Sequence, residues 1–255
     1  MSELLEKYEV LKLIATGGFS TVYKVEDKAD GKIYALKMLD IDDTAMATDS
    51  QHLNTDSNVY ADFINEVEIL KKLNSPNVVK IYEQLVLDNK PCILMEYVEG
   101  KTLEKILEEK NILSEKEVEA ITLQISAGLM HCHNLQYNRS QAGYLTETQL
   151  ISENAIIHND IHPKNIICED LAYGNYRYVL IDFGLSFTNP KKVSDSFIQN
   201  GMAEYKSPEK WEEKKPKPPS DIYSFGIMLY RCLAGELPFA VENPNNFAEL
   251  EALKN

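Results

Sequence analysis

Arginine is the residue this chain most conspicuously lacks: only Arg139, Arg177 and Arg231 occur in 255 residues. Positive charge is short overall, with 26 Lys+Arg against 40 Asp+Glu and a formal net charge of −14. Nucleic acid and anionic membrane surfaces both select basic faces, so neither is expected as the main partner. The acidic surplus reads first as a solubilising surface, and second as a preference for basic substrate segments. The four cysteines (Cys92, Cys132, Cys168, Cys232) are scattered, with no C-x-x-C pair. They suit buried thiols in a reducing compartment rather than a disulfide framework. His131-Cys132-His133 is no metal site, because adjacent positions on a helix point in different directions. There is no internal repeat, no signal peptide, and no apolar run of about 20 residues to span a bilayer. A soluble cytoplasmic protein is expected, in a host's cytosol if the chain is a secreted effector.

What is present is ordinary globular material: 44% hydrophobic and 26% charged residues, enough chain for one bilobal domain or two small ones. Tyr8 to Ile14 and Thr21 to Glu26 read as strands around a Gly17-Gly18 turn, and Asp30-Gly31 leads into a third strand, Ile33 to Leu39. The polar stretch Asp40 to Asn58 reads as a long disordered loop. Phe63, Val67 and Leu70 share one face of a helix over Ala61 to Leu73, closed by Asn74 and Pro76. Strands Lys80 to Leu87 and Cys92 to Tyr97 follow, joined at Asp88-Asn89-Lys90-Pro91. Beyond Glu99-Gly100 the pattern turns helical, which marks a boundary: 1–97 before it, 98–255 after. Ser114-Glu115-Lys116-Glu117 is a capping-box signature opening a long helix to about His133. Tyr137 to Glu153 reads as an inserted loop and Lys214 to Pro219 as an exposed linker. Ser220-Asp221 caps an apolar helix, Ile222 to Leu233, and one more helix is expected around Phe247 to Lys254.

The chemistry concentrates in His158-Asn159-Asp160-Ile161-His162-Pro163-Lys164-Asn165, followed by Tyr178-Val179-Leu180-Ile181 and Asp182-Phe183-Gly184. Carboxylate and amide oxygens are ligands Mg²⁺ accepts beside substrate phosphates, and a further carboxylate can take a proton from an attacking hydroxyl. These two segments resemble the catalytic core of the protein kinase family, H-R-D-L-x-x-x-N followed by D-F-G. Further motifs stand in family order: Ala15-Thr16-Gly17-Gly18-Phe19-Ser20-Thr21-Val22 for the glycine-rich loop, Tyr34-Ala35-Leu36-Lys37 for V-A-I-K, Ser207-Pro208-Glu209 for A-P-E, and Asp221-Ile222-Tyr223-Ser224-Phe225-Gly226 for D-x-W-S-x-G. The resemblance covers about residues 8 to 240.

The resemblance implies an α+β bilobal fold: a five-stranded antiparallel sheet with one helix, then a mainly helical lobe that is shortened, minimal or truncated. It implies ATP and Mg²⁺ as cofactors and a protein substrate; no membrane segment and a monomer are expected besides. Lys37 would hold the α- and β-phosphates and pair with Glu66, with Glu68 the weaker candidate. Ala15, Gly17, Gly18, Val22, Ala35, Met95 and Ile167 would line the nucleotide, and the backbone of Glu96 and Val98 would meet the base. Asp160 would act as base, Lys164 would reach the transferring phosphate, and Asn165 and Asp182 would hold the metal. Three departures from the pattern carry consequences. Asn159 replaces the arginine that pairs with a phosphorylated activation loop, and no other arginine is well placed, so activity independent of that modification is expected despite Thr188, Ser194 and Ser196. His162 stands where serine/threonine kinases carry lysine, a wording shared with aminoglycoside and choline kinases. Met202 stands where a threonine usually bonds the catalytic aspartate. A serine/threonine protein kinase is the favoured reading. A nucleotide-binding pseudokinase and a small-molecule kinase are the alternatives. No pairing arginine is evident for Glu209.

Overall fold

The computed structural model describes residues 2–17, 20–40, 63–64, 66–133, 155–187, 201–211 and 215–239. Arg139, Gly18, Phe19, the loop beyond Asp40, the insertion Tyr137–Glu153, the sites Thr188, Ser194 and Ser196, and the helix expected at Phe247–Lys254 lie outside those residues. The chain forms two compact units, Met1–Lys72 with Val79–Val98, and Leu73–Val78 with Glu99–Asn255.

The first unit opens with a one-turn helix, α1 (Glu3–Lys7), which the sequence reading did not foresee. A five-stranded antiparallel sheet follows: β1 (Tyr8–Thr16), β2 (Ser20–Asp27), β3 (Ile33–Leu39), β4 (Ile81–Leu87) and β5 (Lys90–Glu96), ordered β1-β2-β3-β5-β4. The turn before β5 is tighter than expected. Asp88 and Asn89 take φ of 52° and 59°, the left-handed pair that closes a two-residue hairpin, so the strand begins at Lys90. Pro91 pairs with Val86 there, beyond Cys92, the last partner of β3, so its missing N–H interrupts no central ladder.

Strand alternation gives the sheet two different faces. Tyr8, Val25, Leu36, Met38, Leu87, Cys92 and Leu94 form a buried cluster on one. On the other, Leu39 and Ile93 pack against Phe63 and Val67 of helix α2 (residues 63–70, with Asn65 outside the description). That helix ends at Leu70 in a turn at 71–72, shorter than the expected run to Leu73.

The second unit is mainly helical, but Gly100 to Thr102 is a strand where the sequence pattern turns helical. β6 (Gly100–Thr102), β7 (Ile166–Asp170) and β8 (Tyr176–Leu180) make a three-stranded antiparallel sheet. Gly100 is required at its edge: a Cβ there would stand 2.2 Å from the Cys168 carbonyl oxygen. Helix α3 (Leu103–Lys110) is capped by Thr102, and α4 (Glu115–Cys132) by a full Ser114/Glu117 capping box. Val118, Ile121, Ile125, Leu129 and Cys132 recur at three- and four-residue spacing and are buried as one stripe of α4. Each such side chain contributes about 1.5–3 kcal/mol. Asn77 ties the 73–78 strip to this unit, donating from Nδ2 to Gln124 Oε1 (3.0 Å) and to the Tyr178 carbonyl (2.9 Å).

Short helix α5 (Pro208–Trp211) precedes α6 (Pro218–Ala234). The Lys/Pro run is only partly exposed: Lys215, Lys217 and Pro219 face solvent, Pro216 and Pro218 are buried, and Pro218 begins α6 four residues before the expected start. Proline fits the first turn, where its missing N–H would be unsatisfied anyway.

Candidate active site

In the first unit, direct strand pairing puts the expected nucleotide residues in register on one face. Ala15 opposes Val22, Val22 opposes Lys37, and Ala35 opposes Met95. Gly17 donates its N–H to the Ser20 carbonyl at 2.8 Å and so shapes the loop after β1. Helix α2 packs on the same face, which sets Glu66 beside Lys37. Lys37 Nζ donates to Glu66 Oε2 at 2.6 Å, with the glutamate side chain only 4% exposed. Glu68 instead faces Lys71 at 3.3 Å in the open. The Glu96 N–H is spent on the Lys80 carbonyl (2.8 Å), and Val98 is buried.

In the second unit, His158 to Asn165 forms a tight loop before β7. Asp160 is surrounded by donors. Oδ1 accepts the Met202 N–H at 3.2 Å, and Oδ2 accepts from Asn165 Nδ2 at 3.2 Å. His162 Nδ1 accepts the Lys164 N–H (3.3 Å), and its Nε2 lies 3.2 Å from Asp160 Oδ2 and 3.1 Å from Asn165 Nδ2. Burial pushes the Asp160 carboxyl up. The His162 hydrogen bond leads the contributions that outweigh it, with the Met202 N–H among them, leaving the group below the usual carboxylate value. Asp160 is therefore ionised at neutral pH. Lys164 is exposed beside this cluster.

Asn165 and Asp182 sit at the same end of the β7–β8 ribbon. Ile166 pairs with Leu180, and the Ile181 N–H donates to the Asn165 carbonyl at 2.9 Å. Asn165 gives its Nδ2 protons to the Asp160 carbonyl (2.9 Å) and Oδ2, which leaves its Oδ1 to present lone pairs. Asp182 is exposed with φ of 61°, and its Oδ1 accepts the Gly184 N–H at 3.3 Å. Among the described residues no group of three or more His, Cys, Asp or Glu side chains could hold a metal alone. One carboxylate plus one amide oxygen fits Mg²⁺, which takes few protein ligands and keeps phosphate and water for the rest. Ile167 follows in β7, opposite Val179 and Thr102.

The loop is anchored from α6. Asp221, 1% exposed, accepts the His158 N–H at Oδ2 and the Asn159 N–H at Oδ1, both at 2.9 Å, and His133 Nε2 lies 2.9 Å from Oδ2. His158 spans the other side: its Nδ1 faces the Asp160 N–H (3.4 Å), its Nε2 the Ile181 carbonyl (3.2 Å), and its ring meets Phe183 edge-on at 4.6 Å. Burial keeps this imidazole's pKa below the ordinary histidine value, hence neutral. Asp221→Asn replaces two acceptor oxygens by one acceptor and a donor facing donors. Each lost charged hydrogen bond is worth about 1.5–3 kcal/mol, so the denaturant midpoint should drop clearly; an unchanged midpoint would contradict this anchoring.

Gly201 makes the close approach to Asp160 possible. Its φ is 107°, and a Cβ there would stand 3.0 Å from Asp160 Oδ1. Gly201→Ala should therefore displace the carboxylate, lowering kcat by about tenfold or more with the thermal midpoint moved by only a few degrees. A variant with wild-type kcat would show that the contact is slack.

Sequence reasoning missed two residues here. His133 was read only as a helix end, and Lys210 not at all, since the search for a loop cation considered arginines alone. Arg177 bonds Glu169 (2.6 Å), and Arg231 bonds Glu104 (2.7 Å) and the Tyr205 hydroxyl (2.7 Å). Lys210, directly after the Ser-Pro-Glu tripeptide, is buried with Nζ donating to the Asn159 carbonyl at 3.0 Å. The visible signal was a lysine lying between Pro208 and Trp211. Glu209 has a partner after all, accepting the Ser220 hydroxyl.

An antiparallel five-stranded sheet carrying a lysine–glutamate pair, with a separate unit carrying an aspartate–asparagine loop, defines a protein kinase architecture. Residues 8–254 match the family described as protein kinase domain, and the chain belongs to that family. Its relatives include the serine/threonine-protein kinase PrkC of Bacillus subtilis, 30% identical over 95% of this chain and 32% of PrkC. Human Nek2 is 29% identical over 97% of this chain and 51% of Nek2. PknL of Mycobacterium tuberculosis is 30% identical over 97% of this chain and 54% of PknL. The chain thus spans about a third to a half of the length of these relatives. Among the described residues no helix is long and apolar enough to cross a membrane.

Proposed function

We propose that the chain transfers the γ-phosphate of ATP to a serine or threonine hydroxyl of a protein. The observation that carries this reading is the cradle of Asp160: an ionised carboxylate held by three donors, one of them the asparagine that offers an oxygen to a metal. Asp160 orients the acceptor hydroxyl and takes its proton at Oδ1, which bears one donor against two on Oδ2. Asn165 Oδ1 and the Asp182 carboxylate would hold Mg²⁺, which when bound neutralises phosphate charge. Lys37, fixed by Glu66, holds nucleotide phosphates; in the first unit Ala15, Gly17, Val22, Ala35 and Met95 shape the nucleotide site, with backbone of Glu96 and Val98 on the base. Lys164 contributes a further cation toward the transferring group. The rate gain comes from positioning and charge neutralisation. Ser/Thr-kinase relatives support the acceptor class, and an asparagine at 159 supports turnover without a phosphorylated activation loop.

The test is transfer from γ-labelled ATP and Mg²⁺ to a generic basic protein, before and after phosphatase treatment of the enzyme. Equal labelling of protein in both arms is expected. Label appearing only in free metabolites would replace this reading by a small-molecule kinase. Activity lost with phosphatase and regained on rephosphorylation would overturn the independence from activation-loop phosphate.

A further inference from the structure

We propose that Lys210 is a positioning residue of the catalytic loop, its buried ammonium clamping the Asn159 carbonyl and through it the Asp160 side chain. Asn159 has φ of 69°. Asparagine enters that left-handed region more readily than other non-glycine residues, and here its backbone is fixed by its surroundings. Its peptide groups are gripped from two elements. Asp221 Oδ1 on α6 accepts its N–H at 2.9 Å, and Lys210 Nζ on α5 donates to its carbonyl at 3.0 Å. The clamp touches the reacting carboxylate at a second point. The Cβ position of Gly201 lies 3.5 Å from Lys210 Nζ and 3.0 Å from Asp160 Oδ1, and the next residue, Met202, donates to that same oxygen. Segment 201–211 therefore holds Asp160 directly through Met202 and indirectly through Lys210.

A lysine ammonium 3% exposed is costly to bury, which a bland packing role would not justify. Burial brings its pKa down to about 8, and Lys206 opposes its charge further. Asp160 from the loop, Asp221 from α6 and Glu209 from its own helix favour the charge without restoring the ordinary value. The linkage has a definite sign. The folded pKa is depressed, so between about pH 8 and 10.5 the unfolded chain binds the proton and the folded chain does not. Stability from this group therefore rises with pH across that window, while the clamp weakens as the ammonium discharges.

This inference rests on the phosphotransfer reading for its kinetic arm and stands apart from it in its structural arm. The test compares the full chain with Lys210→Met and Lys210→Arg, measuring kcat, KM for ATP, thermal midpoint, and amide hydrogen exchange of the 157–165 peptide without nucleotide. Lys210→Met should melt no lower than wild type, lose about 10- to 100-fold in kcat with KM for ATP little changed, and exchange faster at 158–162 only. Wild-type kcat should fall as pH rises through about 8, and Lys210→Arg should remove that fall. Wild-type kcat and exchange in Lys210→Met would overturn the proposal. So would a Lys210→Met chain that fails to fold beside a wild-type kcat flat through pH 8. If wild type shows no Asp160-dependent transfer, the phosphotransfer reading fails, and exchange decides: unchanged exchange at 158–162 overturns the positioning role, faster exchange upholds it.

Discussion

Replacing Asp160 by asparagine is expected to lower kcat by about 10²–10⁴-fold while nucleotide affinity stays within a few-fold of wild type. The substitution keeps shape and removes function. An amide has one acceptor oxygen, whereas the carboxylate receives the Met202 N–H on one side and His162 and Asn165 on the other. Whichever way the amide turns, its NH₂ group faces a donor. The neutral side chain also has no lone pair basic enough to take a hydroxyl proton. Turnover measured beside equilibrium nucleotide binding separates this from a binding defect. Retention of kcat within about threefold would mean that another group is the base.

Lys37→Met is expected to be as severe and to act twice. It removes the ammonium 2.6 Å from a glutamate side chain that is 4% exposed. Breaking a buried pair from one side costs about 3–5 kcal/mol, which should appear as a large fall in the denaturant midpoint. It also removes the cation proposed to hold the nucleotide phosphates, so nucleotide affinity and transfer should fall together. The double variant Lys37→Met/Glu66→Met separates the two effects: stability should largely return, because no charge is left buried there, while nucleotide affinity should not. A double variant as unstable as the single one would show that the pair contributes through packing alone.

The fold was legible in the sequence wherever a local rule had one solution. Ile33–Leu39, an apolar run after the Asp30-Gly31 turn, is β3 to the residue, and the Ser114/Glu117 box opens α4 where the spacing places it. The misses are tertiary. Gly100–Thr102 has no strand signature of its own and becomes one because β7 passes against it, close enough to forbid a Cβ. Pro216 and Pro218 looked like linker residues because proline composition says nothing about burial. The site divides in the same way. Asp160, Asn165 and Asp182 stand in a motif whose spacing can be read directly. Lys210 reaches the loop from 51 residues away in sequence, through a single carbonyl. Such a contact leaves no periodicity, and only the folded chain displays it.

Whether this loop moves phosphate onto a protein hydroxyl is decided by the chemical identity of the labelled product. The full chain and its Asp160→Asn variant would be incubated with γ-labelled ATP, Mg²⁺ and a generic protein, and the labelled protein hydrolysed in acid. Phosphoserine and phosphothreonine are expected from wild type and neither from the variant. Label equal in both, or none in a wild type that still binds nucleotide, would contradict that expectation.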